Sequence, residues 1–196
     1  MGSLSNYAEN ALLNHITTNS AYTSVATVYL ALCTADPTDA GTGASMNEVA
    51  NSGSYARTAI TFGAAASRRV TQSGAVAFTA STGSWGTVTH WAVVDSATYG
   101  AGNVLAYGAF ATSRVIASGN TPTVTDATVY VEITASTGLS NYCANGFLDR
   151  MFRNQAFTVS ANYFALCTAA PSDSSTGSTI TEPSGNNYAR RVVNNS

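Results

Sequence analysis

Leu4-Ser5-Asn6-Tyr7-Ala8, Ala31-Leu32-Cys33-Thr34-Ala35-Asp36-Pro37 and Tyr55-Ala56-Arg57 follow one another in the first third of the chain, and the same landmarks return past its middle. There they read Leu139-Ser140-Asn141-Tyr142-Cys143, Ala165-Leu166-Cys167-Thr168-Ala169-Ala170-Pro171 and Tyr188-Ala189-Arg190. The offset is 135 residues at Tyr7/Tyr142, 134 at Cys33/Cys167 and 133 at Tyr55/Tyr188, so the copies differ by single deletions in the loops between landmarks. Solenoids and propellers repeat at roughly 20 to 50 residues, so a period this long reads as a tandem copy of a domain. The second copy stops early: Leu139 to Ser196 is 58 residues. The expected organisation is a complete unit over residues 1–136 and a truncated second copy over residues 137–196, acting as an arm or as the start of a second domain.

Working outward from the landmarks, Ser5 is placed to cap a helix, Glu9 sits in its first turns where the helix dipole favours an acid, and Leu4, Ala8, Ala11, Leu12, His15 and Ile16 keep helical spacing. This predicts a helix over Ser5 to Thr17. Tyr142, Cys143, Gly146, Phe147 and Met151 repeat the pattern in the second copy. From there to about residue 135 the period becomes two. Val28 to Cys33, Tyr55 to Phe62, Val76 to Phe78, Thr87 to Val94, Val104 to Phe110 and Ala127 to Ile133 are strand-like runs bounded by Gly, Ser, Thr and Asn. The fold class expected is mainly β: an antiparallel β-sandwich, jelly-roll-like, with an N-terminal helix, followed by a partial copy of helix plus strands. Between the strands lies a long polar segment, Thr38 to Ser54, with a polar counterpart at Ser172 to Asn187. Segments of this length in a compact domain are usually functional or disordered.

Composition narrows the function. Charged residues are 9% of the 196, against roughly 25% in typical soluble domains. All eight basic residues are arginine and the net charge is −2; the arginines are scattered apart from the pairs Arg68-Arg69 and Arg190-Arg191, which read as solvated loop or strand-edge positions or local salt-bridge partners, so no basic footprint for nucleic acid exists. No apolar run approaches the roughly 18 residues of a membrane span, and no Sec-type signal opens the chain. Cys33, Cys143 and Cys167 read as small packing residues, without a disulfide framework or a zinc spacing.

A catalytic reading finds little to work with. His15 falls on the helix and His90 in a strand; both read as structural. There is no Gly-x-Ser-x-Gly elbow, and a phosphate loop is excluded because the chain has no Lys. The expectation is a protein that is not an enzyme and holds no cofactor and no metal. Trp85 and Trp91 flank a strand and could stack on a sugar, although aromatics on a pleated surface are more often packing residues.

Leu4 through His15, Tyr29 through Pro37, Gly53 through Arg57 and Ser84-Trp85-Gly86-Thr87-Val88-Thr89-His90, taken in that order, resemble a family of tailed-bacteriophage virion proteins commonly labelled tail fibre proteins. The resemblance covers about residues 3 to 135 and recurs in truncated form from Leu139. It implies a non-enzymatic structural component on the outside of a phage particle, made in the bacterial host cytoplasm, whose partners are other virion proteins, capsid or tail subunits. The departure from the family pattern is the second unit, which has no counterpart to Trp85 through His90.

Three readings follow: a fibre or fibre-attachment module, a capsid decoration (cement) protein of the head, and a host glycan-binding module through Trp85 and Trp91. The first is preferred. A helix and two or three strands bury too little apolar surface to stand alone, so the second unit is expected to be completed by a partner, with a homo-oligomer, a trimer, as the simplest arrangement. The assembly interface is assigned to Phe147, Met151, Tyr163, Phe164, Leu166, Val192 and Val193, together with the pliable segment Thr38 to Ser54. Arg57 and Arg190, held at one place in both copies, are expected to anchor the preceding loops, Arg57 through Asp36 or Glu48 and Arg190 through Glu182. If the arm is the whole second unit, protein taken from particles has an intact mass of 20.1 kDa; a mass well above that removes the arm.

Overall fold

The computed structural model describes residues 2–18, 20–134, 138–159 and 161–193. The expected boundary between units at 136/137 lies outside the described residues. In chain order the elements are β1 (Gly2–Leu4), α1 (Asn6–Thr17), β2 (Val28–Cys33), β3 (Thr58–Ile60), β4 (Arg69–Thr71), β5 (Val76–Ala77), β6 (Gly86–Val94), β7 (Val104–Ile116), β8 (Thr123–Val124), β9 (Tyr130–Glu132), α2 (Asn141–Arg153), β10 (Asn162–Phe164) and β11 (Arg191–Val193).

The chain is mainly β, and seven strands form one sheet in the order β3-β2-β6-β7-β1-β9-β4. All its pairings are antiparallel except β1 with β9. The sheet curls until its edge strands meet: Phe62 bridges Gln72, Gly63 N–H donates to Thr71 O at 2.9 Å and Ser73 N–H to Thr61 O at 2.9 Å. The expectation of an antiparallel sandwich is therefore corrected to a curled, mixed sheet, accompanied by the two-stranded pairs β5–β8 and β10–β11. Strand spacing could not distinguish one closed sheet from two facing ones. The short N-terminal strand, which supplies the parallel pairing, carries no periodic signal. Gly2 is required there, because a Cβ would lie 2.2 Å from Trp91 Cη2 and 2.7 Å from Tyr130 O.

Central strands β2 and β6 are apolar on both faces, which explains why Val28 to Cys33 reads as an almost unbroken apolar run. Leu30, Leu32, Trp91 and Val93 enter the main core. Ala31, Cys33, Ala92 and Val94 form a smaller cluster on the opposite face with Met46 and Val104. Met46 belongs to the long polar segment, whose Val49 reaches the main core. That segment is a fitted cover for the sheet rather than the pliable surface expected of it.

The helices repeat each other locally and differ in setting. Ser5 and Ser140 are the N-caps, each hydroxyl accepting from the N–H three residues on, Ala8 and Cys143, at 3.3 Å. Asn6 N–H donates to Asp39 O and Asn141 N–H to Asp173 O. Helix α1 lies against β7 and β1. Helix α2 instead packs on β4 of the first unit, burying Ala144, Phe147, Leu148, Met151 and Phe152 in the same core that contains Leu12, Tyr22 and Phe62. The Phe62 and Phe152 rings sit 5.2 Å apart, and those of Tyr22 and Phe147 5.9 Å. Gly146 lets the chain past: a Cβ there would stand 2.5 Å from the Phe157 ring.

Phe147 is wholly enclosed in this core, and removing such a side chain costs about 3–5 kcal/mol, lost transfer energy plus a cavity. Urea unfolding of Phe147→Ala should show that loss, whereas Val115→Ala, at a strongly exposed position, should stay within about 0.5 kcal/mol of the parent.

Candidate assembly surface

The most completely bonded polar group of the first unit is Arg57, whose side chain is 0% exposed. It stands just before β3, and the residues that surround it come from the long segment before it and from the turn between β6 and β7. Its Nε donates to Glu48 Oε1 at 2.9 Å and its Nη2 to Glu48 Oε2 at 2.8 Å, a bidentate pair. Nη2 also donates to Gly43 O at 3.0 Å. Nη1 is shared among Ser96 O at 3.0 Å, Thr98 O at 2.8 Å and Ala101 O at 2.8 Å. Every N–H of the fork is thus used, which is what a buried guanidinium requires. Tyr55 completes the group: its hydroxyl donates to Glu48 Oε1 at 2.9 Å and accepts from Leu32 N–H at 2.9 Å. Burial first, and the Glu48 charge second, push the Tyr55 pKa up, so it remains a neutral donor.

The second copy builds the same knot in the open. Tyr188 Oη donates to Glu182 Oε1 at 2.7 Å and accepts from Leu166 N–H at 3.0 Å. Arg190 Nε and Nη2 donate to the Glu182 carboxylate, with Nη2 at 2.6 Å from Oε2, and Nη2 also bonds Gly177 O. Thr168 N–H donates to Thr181 O at 2.9 Å, as Thr34 N–H does to Asn47 O at 3.0 Å. The difference is exposure: the Arg190 side chain is 38% exposed. Arg190 holds the Glu182 carboxyl below the ordinary carboxylate range, with the Tyr188 hydroxyl as the second cause.

Next to this knot lies the pair β10–β11, whose register is that of β2–β3: Asn162, Tyr163 and Phe164 face Val193, Val192 and Arg191 as Val28, Tyr29 and Leu30 face Ile60, Ala59 and Thr58. In the first unit β6 covers the other edge of β2, from Tyr29 to Cys33. Among the described residues strand β10 has β11 as its sole neighbour, and it ends at Phe164, opposite Arg191, where β11 begins. Tyr163, Phe164, Leu166, Val192 and Val193 are all exposed, Tyr163 and Phe164 at 62%. Five large apolar side chains grouped around one strand pair are an exposed patch of the kind that marks contact with another molecule.

The remaining candidates are placed differently. Phe147 and Met151 are buried within the chain, so of the seven residues assigned to an assembly surface only Tyr163, Phe164, Leu166, Val192 and Val193 are exposed. The sequence showed an apolar helix face; it did not show that the first unit would cover it. Trp85 and Trp91 are corrected too as a sugar contact. Trp91 is 1% exposed under the sheet, and Trp85 is buried with its Nε1 donating to Gly53 O at 2.9 Å and its ring edge-on to Tyr55. His15 is buried, its Nδ1 accepting from Tyr22 N–H and its Nε2 2.8 Å from Phe157 O. His90 Nδ1 meets the Thr89 hydroxyl at 2.8 Å. Among the described residues no group of three or more His, Cys, Asp or Glu is placed to hold a metal ion.

Arg68 went unnoticed in the sequence, where it read as half of a solvated Arg68-Arg69 pair. It is buried, and it donates from Nε to Ile133 O at 2.8 Å, from Nη2 to Thr134 O at 2.6 Å, from Nη1 to Leu139 O, and at 3.2 Å to Asp173. One guanidinium therefore holds both sides of the 134–138 junction and the second copy's loop. Only Arg69, paired with Glu132 and lying 4.4 Å over the Tyr130 ring, is the local surface partner expected.

The family model described as Podophage GP4 fiber I protein gp80 matches residues 3–132 and 138–196. No curated protein matches the chain.

Truncating Arg57 leaves the buried Glu48 carboxylate with the Tyr55 hydroxyl and without its cation, and removes the arginine donor from four carbonyls, a loss of about 3–5 kcal/mol for a buried pair. Arg57→Ala should lower the unfolding free energy from urea titration by that amount, while Arg190→Ala, at the surface, should leave it near the parent value. The Glu182 shift gives a pH dependence of fixed sign. A depressed carboxyl contributes its hold above the ordinary carboxylate range and loses it as pH falls through the lowered value. The protection of the Leu166 amide, bonded to Tyr188, relative to its intrinsic exchange rate should therefore persist at neutral pH and fall selectively in acid.

Proposed function

The chain belongs to the podophage GP4 fiber I protein gp80 family, and from that premise we propose that it is a non-enzymatic fibre or fibre-attachment module on the exterior of the virion. It joins other virion proteins through the strand pair β10–β11. The observation that carries this is the exposure of Tyr163, Phe164, Leu166, Val192 and Val193 beside a core that α2 has already helped to close. Covering a Leu, Val or Phe side chain contributes about 1.5–3 kcal/mol, so a partner that seals even part of this patch gains several kcal/mol before association costs. The chain's low charge acts in the same direction, because few charges have to be desolvated in a permanent contact.

The two Tyr-Glu-Arg knots serve as loop anchors in this reading. Arg57 with Glu48 fixes the cover of the first unit. Arg190 with Glu182 keeps the arm's loop in its docking shape before a partner arrives, which lowers the ordering cost of assembly. The fibre is a homo-oligomer, a trimer for preference, in which each subunit offers one arm.

Gold-labelled antibody against this chain, applied to intact particles, should mark the tail-proximal region at few copies per virion. Particles lacking the protein should keep their heads on heating and fail to adsorb. Labelling spread over the head, with loss of capsid integrity in its absence, would make it a decoration protein instead.

A further inference from the structure

The first unit contains a complete version of the contact that the arm leaves open, and the two agree bond for bond until three things go missing. In the first unit β6 lies along β2 from Tyr29 to Cys33, the Ser96, Thr98 and Ala101 carbonyls take Nη1 of Arg57, and Leu30 and Leu32 are buried. In the arm, among the described residues, no strand lies along the corresponding edge of residues 163–167. Phe164 and Leu166, the counterparts of Leu30 and Leu32, stand exposed. Arg190 uses Nε and Nη2 as Arg57 does, and among the described residues no acceptor meets its Nη1.

Two of the three, the paired strand and the Nη1 acceptors, come in the first unit from one continuous segment, β6 and the turn that follows it to Asn103, and Trp91 and Val93 of that strand enter the core that buries Leu30 and Leu32. The three are therefore one missing element. We infer that the arm is an acceptor for a β-strand running into a tight turn, supplied by a segment outside residues 1–196, with the strand pairing antiparallel to residues 163–167 and the turn carbonyls capping Arg190 Nη1. This rests on the reading of the arm as an assembly surface and specifies its occupant.

The first unit also fixes the chemistry of that occupant. The strand is uncharged and apolar on both faces, as Trp91-Ala92-Val93-Val94 is, because one face closes on Phe164 and Leu166 and the other on Ala165 and Cys167. The turn is built of small residues, as Tyr99-Gly100-Ala101-Gly102 is, so that several carbonyls can converge on a single nitrogen. A second copy of this chain in its closed form is unsuited as donor, since its own β6 is already paired on both edges, with β2 and with β7.

The probe is a fluorescent synthetic peptide of this sequence, Gly86 to Asn103, added to the full 196-residue chain and followed by anisotropy, with a scrambled peptide as control. The expected result is saturable binding that slows amide exchange across residues 163–167, is weakened about tenfold by Arg190→Ala, and is weakened comparably by Arg190→Lys, which keeps the charge and loses the fork. Arg190 lies at the surface, so both variants should fold, which their unfolding midpoints check. Absence of saturable binding up to about 1 mM peptide, protection elsewhere on the chain, or affinity unmoved by either variant overturns the inference. So does a peptide-free dimer protected at residues 163–167, which would make a second copy the occupant. None of these outcomes depends on where the protein sits in the particle, so the docking assignment and the fibre reading fail separately.

Discussion

The buried ion pair of Arg57 with Glu48 is the constraint on which the first unit depends. Two charges taken out of water are costly unless every donor and acceptor is met. Here the fork of Arg57 reaches Glu48, Gly43 and three carbonyls of the β6–β7 turn. Those partners lie on two separate stretches of chain, so satisfying one side chain brings the polar cover and the sheet turn together. Once the cover is pinned, Met46 can seal the outer cluster and Val49 can join the inner one. The Tyr55 hydroxyl extends the network to the β2 backbone at Leu32, so the cover, the sheet and the turn share one hydrogen-bonded centre.

The same constraint, met only in part, gives the arm its character. Glu182, Tyr188 and Arg190 form the knot from side chains close in sequence, and this shapes the loop. Without a covering strand and turn the pair stays in solvent, where ion pairs contribute little. The helix of the second copy had a different fate. Its apolar face met β4 and the aromatic rings of Tyr22 and Phe62, and Arg68 tied the junction from the other side. Helix α2 thus joins the main core, while β10 and β11 form a separate pair beside it.

The helices, their serine caps and the central strands were legible in the sequence because each depends on short-range patterns: a hydroxyl three residues from an N–H, or apolar residues at periods of 3.6 and 2. Strands β1, β4 and β8 were not legible. Two or three residues carry no period, and they are strands only because neighbours pair with them. Trp85 and Trp91 looked equally suited to a surface platform or a core, and the choice turned on what lay above them: Gly2 against Trp91, and Tyr55 against Trp85. Arg68 looked solvated because its partners, Ile133, Leu139 and Asp173, lie 65 to 105 residues away.

The sequence alone determined that two loops would be tied by the same Tyr-Glu-Arg geometry, since Glu48, Tyr55 and Arg57 lie within ten residues of one another, as do Glu182, Tyr188 and Arg190. Hydrogen bonds over so short a span follow from local chain geometry and need no distant help. Only the tertiary structure decided which knot is buried and which apolar residues face water. Burial is a property of what packs on top, and the strand and turn that cover the first knot lie some 40 residues beyond it in the chain.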